Sequence, residues 1–149
     1  MINIKEYSTN NQPSLLEKTE ISSFLQQHLE QYGDPQQAIE KAIEYATGKN
    51  NSAGGNIFVA KNNDVVIAAA VINKTGMHDY IPANILVYIA THKEYRGKGV
   101  GKSLMNHIIE NLEGDIALHV EPDNPAKRLY ENLGFTNKYL EMRLIKEVK

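Results

Sequence analysis

Apolar and polar residues alternate over residues 2–7, the period of a half-buried strand, and so predict a first β-strand. Residues 8–14 are polar, hold Pro13 and read as a turn. The period then changes. Leu15, Leu16, Ile21, Phe24, Leu25 and Leu29 recur at helical spacing, and Gly33 stops that helix. Asp34 and Pro35 read as the N-cap and first residue of a second helix, whose apolar face is Ala38, Ile39, Ala42, Ile43 and Ala46. Residues 49–55 form a loop. Two apolar runs follow, 56–60 and 65–73, joined by Lys61-Asn62-Asn63-Asp64. Asn and Asp tolerate the turn conformations that a hairpin needs.

Residues 74–83 are a polar connection and 85–90 a further strand. A glycine cluster at 96–101 opens a helix whose face is Val100, Leu104, Ile108 and Leu112. A short strand at 116–120, a short helix at 125–133 ended by Gly134, and a last strand at 139–145 complete the chain. The order β–α–α–β–β–β–α–β–α–β predicts an α+β sheet with packed helices, not an alternating βαβ array.

Composition narrows the function. The 149 residues make one domain, 1–149, with ordinary globular usage of 42% hydrophobic and 23% charged residues. A formal net charge of -2 gives no bulk case for nucleic-acid or membrane partners. Without cysteine there is no disulfide, thiolate metal site or cysteine nucleophile. Polar residues interrupt the N-terminal apolar pairs, so no signal peptide is expected. The longest apolar run, 65–72, is far short of the roughly 20 residues that span a bilayer. A soluble, cytoplasmic protein is the expectation.

The chemistry concentrates in Tyr95-Arg96-Gly97-Lys98-Gly99-Val100-Gly101-Lys102-Ser103. Glycines let the backbone curl around an anion, and a new helix adds partial positive charge at its N-terminus. Arg96, Lys98 and Lys102 add full charges. The loop suits phosphates. A Walker A loop would need glycine where Arg96 stands, and a dinucleotide loop needs Gly-x-Gly-x-x-Gly, whereas the spacing here is Gly-x-Gly-x-Gly. Both nucleotide readings fail on spacing.

Arg96-x-x-Gly99-x-Gly101 resembles the Arg/Gln-x-x-Gly-x-Gly/Ala signature of the GNAT acyltransferases. Leu118-x-Val120-x-x-x-Asn124-x-Ala126-x-x-Leu129-Tyr130-x-x-x-Gly134-Phe135 is similar to that family's second motif. The resemblance covers about residues 56–135 in sequence, and the N-terminal third in arrangement only. It implies a central mixed, mostly antiparallel sheet with helices on both faces, and acetyl-CoA as co-substrate without a metal. The pantetheine arm would pair with backbone around Ile89, Ala90 and Thr91, because its amides can act as a strand edge. The pyrophosphate would sit on backbone N–H groups across Gly97, Lys98, Gly99, Val100, Gly101 and Lys102. Asn124 would bond the pantetheine arm or cap the helix beside it.

Tyr130 matches the position from which the family often protonates the departing thiolate or hydrogen-bonds its sulfur. The glutamate many relatives use as general base is missing, since Ala83, Asn84 and Ile85 stand there. His119, Glu121, His78, Asp79, His92 or a water chain remain as candidates. The implied function is acetyl transfer to an amine by direct attack. The alternative is a CoA or acyl-CoA sensor without turnover, and a homodimer is left open.

Overall fold

The computed structural model describes residues 2–147 and divides after Leu118 into two compact units. The first unit holds β1 (Ile2–Ser8), α1 (Leu15–Leu29), α2 (Gln36–Ala46), β2 (Gly55–Asn62), β3 (Val65–Lys74), β4 (Asn84–Thr91), α3 (Val100–Asn111) and β5 (Ile116–Leu118). The five strands lie in chain order. The first three pairings are antiparallel and β4–β5 is parallel. The mixed, mostly antiparallel α+β sheet expected from the sequence is what forms.

The β2–β3 hairpin is tighter than the expected four-residue link. Asn63 and Asp64, at φ 51° and 68°, make a two-residue turn while Lys61 and Asn62 join the strand. At the other end of the hairpin, Gly55 lies so close to β3 that a Cβ there would fall 1.9 Å from the Ile72 carbonyl oxygen.

The alternation of the strands supplies two apolar faces. Tyr7, Ile57, Val59, Ala69, Val71, Tyr88 and Ala90 form one core with α1 and α2. Phe58 faces the other way and meets the His107 ring of α3 at 5.8 Å between centroids. α3 buries Val100, Leu104, Met105 and Ile108. Helices therefore cover both faces of the sheet.

α1 departs from its expected face. Ser14 and Glu17 form a capping box at its start, but Leu15 and Leu16 are 82% and 80% exposed. The buried stripe is Ile21, Phe24, Leu25 and His28, and Leu15 and Leu16 lie about 120–140° around the helix from Ile21. α2 departs at its cap. It begins at Gln36 with no side-chain cap, so Asp34 does not serve as one.

The second unit contains α4 (Ala126–Asn132) and irregular chain. The strand expected at 139–145 does not form. Its alternating Leu140, Met142 and Leu144 are exposed. Alternation describes a face, while a strand also needs a hydrogen-bonding neighbour, and no strand of the described residues pairs with this segment.

Candidate functional site

β5 pairs with β4 only from Asn84 to Leu86, yet β4 continues to Thr91. Among the described residues no strand covers the outer edge of β4 beyond Leu86. The separation coincides with a bulge. Val71 of β3 faces Tyr88 and the next residue, Ile72, faces Leu86, so Val87 is the extra residue on β4. Bulges bend the strand that carries them and end pairing.

The direction of the freed backbone groups follows from the ladder. The His92 N–H donates to the Ile67 carbonyl at 2.7 Å, so alternate residues of β4 turn their backbone toward β3. Ala90 is one of these. Ile89 and Thr91 turn theirs to the open edge. The Thr91 carbonyl accepts from Arg96 Nε at 3.2 Å, which leaves its N–H and both groups of Ile89. Of the three expected backbone partners, two face the edge.

The chain leaves β4 into the glycine turn. Gly97 and Gly99 adopt φ 77° and 80°, and a Cβ on either would meet nothing within 4 Å. Glycine is needed here for backbone conformation, not for lack of room. Gly99 caps α3 without a side-chain bond, and the first intrahelical bond is Ser103 N–H to the Gly99 carbonyl. The N–H groups of Val100, Gly101 and Lys102 precede it and have no intrahelical acceptor. They sit at the positive end of a 12-residue helix. Open space of about 450 Å³ runs along the flank of α3 from Gly99, Lys102 and Ser103 to Asn106, His107 and Glu110, with Ile4 opposite.

Arg96 is not aimed at this space. Its Nη1 pairs with Glu30 Oε1 at 2.6 Å and its Nη2 donates to the His28 carbonyl at 2.7 Å. The guanidinium holds the Glu30 carboxyl below the usual carboxylate range, first by that hydrogen bond and then by its charge. Arg96 thus braces the loop against the C-terminal end of α1. The free cations of the loop are Lys98, whose ammonium lies 5.4 Å from the centre of the Tyr95 ring, and Lys102. Among the described residues neither pairs with a carboxylate.

The other candidates fall in different places. His92 stacks on His28 at 4.3 Å and meets Tyr95 edge-on. Its Nδ1 accepts from the Glu94 N–H. His78 and Asp79 pair with each other on an exposed loop. Asn84, one of the three residues in the region of the missing glutamate, is 1% exposed. Its amide donates to the Glu113 and Asp115 carbonyls at 2.8 and 3.2 Å, so it ties down the turn into β5.

The second unit holds the rest. β5 ends at Leu118, so His119 and Glu121 lie outside any strand and are exposed. Asn124, one residue before Pro125, the N-cap of α4, accepts from the Ala126 N–H on its Oδ1 at 2.9 Å. Tyr130 is 8% exposed and packs edge-on against Phe135. Burial pushes its phenol up to about 12. Among the described residues its hydroxyl has no hydrogen-bond partner.

The sequence reading missed His28 and Tyr88 and took Asp34 for a helix cap. His28 lies four residues beyond Phe24 and seven beyond Ile21, so its burial was readable from the helical period. Tyr88 donates to Asp34 Oδ2 across 54 residues, a pairing no local pattern announces.

An α+β sheet with a freed strand edge that leads through a glycine turn into a helix start is the architecture the chain presents. The particular family follows from comparison. A family model described as "Acetyltransferase (GNAT) domain" matches residues 53–137, and the chain belongs to that family. A GNAT-family acetyltransferase of Streptococcus pneumoniae has the same fold, with TM-score 0.71, 18% identity and coverage of 99% of this chain and 100% of that one. So has the aminoglycoside N-acetyltransferase AAC(6')-Iy in complex with CoA, with TM-score 0.69, 18% identity and coverage of 99% and 96%. Cysteine-rich protein 2-binding protein of Mus musculus is 36% identical over 55 residues, which span 36% of this chain and 7% of that protein. Acetyl transfer is the chemistry of the family. Among the described residues no cluster of three or more His, Asp or Glu is placed to hold a metal, and no helix is long and apolar enough to cross a membrane.

Proposed function

We propose that the chain is an acetyl-CoA-dependent N-acetyltransferase that passes the acetyl group directly to an amine. The observation that carries this reading is the continuity of the freed β4 edge with the glycine turn. Ile89 and Thr91 offer strand-edge groups to the pantetheine amides, and a few residues later the N–H groups of Val100, Gly101 and Lys102 await the pyrophosphate. Gly97 and Gly99 supply the turn, and Lys98 and Lys102 the charge. Arg96 acts by holding the turn in place. The CoA-bound neighbour of like fold supports the choice of coenzyme.

Acetyl-CoA carries the activated acyl group, and this chain's residues orient it. A neutral amine adds to the thioester carbonyl. Loss of a proton from nitrogen and departure of the CoA thiolate then give the amide. Tyr130 is the group assigned to the sulfur. Full transfer of its proton runs uphill, because a phenol at about 12 lies above a thiol at about 8.5, a gap of roughly 5 kcal/mol. Tyr130 therefore acts as a hydrogen-bond donor that stabilises the thiolate, which takes its proton from solvent.

The sensor reading draws on the absence of the usual glutamate, since Ala83, Asn84 and Ile85 stand in its region and the Asn84 amide nitrogen is held by two backbone carbonyls. One experiment separates the two. Thiol release from acetyl-CoA is followed with a panel of amines while acetyl-CoA affinity is measured by titration. Amine-dependent release supports the transferase. Tight binding with no release for any amine refutes it and supports the sensor, and absence of binding refutes both.

A further inference from the structure

Tyr88 follows the bulged Val87 on β4, and its side chain leaves the strand on the side of α1 and α2, where it is 8% exposed. Its hydroxyl donates to Asp34 Oδ2 at 2.5 Å. Burial, and after it the bond to the carboxylate, keeps the phenol protonated well above its ordinary range, so Tyr88 is a permanent donor here. Asp34 precedes Pro35 at the start of α2, where an aspartate ordinarily caps the helix. It makes no cap and points its carboxylate at the strand instead. The residue is exposed. Among the described residues no lysine, arginine or histidine pairs with it.

The course of the α1–α2 connection gives this carboxylate a place. Arg96 and Thr91 fix His28 and Glu30 at the C-terminal end of β4. Asp34 then meets the strand at Tyr88. The connection thus runs back along residues 88–91, the stretch whose outer edge β5 has left. It carries Glu30, which Arg96 neutralises, and Asp34, which a phenol orients and no cation neutralises.

We infer that Asp34 is the acceptor-binding carboxylate, that it holds a second positive charge on the amine substrate, and that Tyr88 is the positioning residue that aims it. The acceptor class is then a dicationic amine. A carboxylate's charge favours an ammonium, so it suits a nitrogen that stays protonated through the reaction, whereas the reacting nitrogen must give its proton up. Against a second charge, the same carboxylate adds binding and leaves the nucleophile free. This inference rests on the transferase reading.

Putrescine and butylamine have the same carbon count and differ in the second ammonium, so they probe the assignment. Steady-state thiol release is measured with both for wild type, Asp34→Asn and Tyr88→Phe, with thermal melting and acetyl-CoA titration as controls. Wild type should favour putrescine in kcat/KM by roughly tenfold to a hundredfold, the span of a hydrogen bond to a charged group. Asp34→Asn should bring that ratio close to one through KM, with kcat for putrescine little altered. Tyr88→Phe should lower the ratio partway, again through KM, a split that mere loosening of the fold would not produce. An unchanged ratio in Asp34→Asn overturns the inference and leaves the transferase reading standing. So does a wild type that binds acetyl-CoA and acetylates other amines but not putrescine. Failure to bind acetyl-CoA at all sinks the transferase reading itself.

Discussion

Gly99 is where the backbone of the loop can be tested apart from its charge. At φ 80° an L-residue is strained by about 1–2 kcal/mol, whatever the space around it. The space is open, since a Cβ would meet nothing within 4 Å, so no steric penalty adds to that. Gly99→Ala should then lower stability by about 1–2 kcal/mol, or roughly 2–8 °C in Tm for a chain of this size. Gly99→Glu carries the same strain and places a carboxylate at the cap of α3. Beside a phosphate at about 4 Å, with an effective dielectric near 20, that charge costs about 4 kcal/mol, nearly a thousandfold in affinity.

Lys98→Ala is the contrasting perturbation. Its ammonium is exposed over Tyr95, and a screened surface contact contributes less than about fivefold in affinity. Calorimetric titration of acetyl-CoA into each variant, after melting curves show it folded, gives the comparison. The expected order of loss is Gly99→Glu, then Gly99→Ala, then Lys98→Ala. Equal losses in Lys98→Ala and Gly99→Glu would refute the reasoning, because the loop would then act through its side-chain charge and not through its N–H groups.

Tyr130→Phe should leave acetyl-CoA affinity nearly unchanged and lower kcat by roughly 10²–10³-fold, as for the loss of one donor to a developing anion; unchanged kcat removes Tyr130 from the reaction. His28 is pushed below its ordinary value by burial, and then by His92, Arg96 and Lys93. Between its folded value and about 6.5 the unfolded chain binds more protons, so this stability is present above about pH 6.5 and lost as pH falls through the folded value. Denaturation midpoints should decline on that side in wild type and less in His28→Phe, and parallel declines would contradict the assignment. Asn84→Ala leaves the Glu113 carbonyl without its side-chain donor, while the Asp115 carbonyl keeps the Asn84 backbone N–H, and should cost about 1–2 kcal/mol in chemical denaturation; a cost near zero would mean that the turn into β5 stands without it.

What the sequence shows of this molecule, and what it hides, follows the range of the interactions. Gly97, Gly99 and the start of α3 are readable because a phosphate loop is a backbone conformation, set by neighbouring residues. The hairpin turn at Asn63 and Asp64 is readable for the same reason. Leu15 and Leu16 mislead because hydrophobic residues at helical spacing say nothing of where the sheet lies beneath the helix. Residues 139–145 mislead because an alternating pattern carries no statement about a neighbour. Arg96 reads as a phosphate cation, and only the fold shows its guanidinium spent on Glu30 and the His28 carbonyl.

The same distinction divides the site by role. The stretch proposed for the coenzyme runs unbroken from Ile89 to Lys102, with the loop braced from α1 by Arg96. The contact assigned here to the acceptor joins Asp34 to Tyr88 across 54 residues, and one partner lies on a connection between helices. Asp34 is exposed and its hydrogen-bond partner is Tyr88, outside the glycine turn, so on this assignment a substitution there alters the acceptor contact first. A substitution at Arg96 has no such freedom. It would release Glu30, the His28 carbonyl and the Thr91 carbonyl together, loosening the loop and the α1–α2 connection at once. Arg96 therefore couples the glycine turn to the α1–α2 connection.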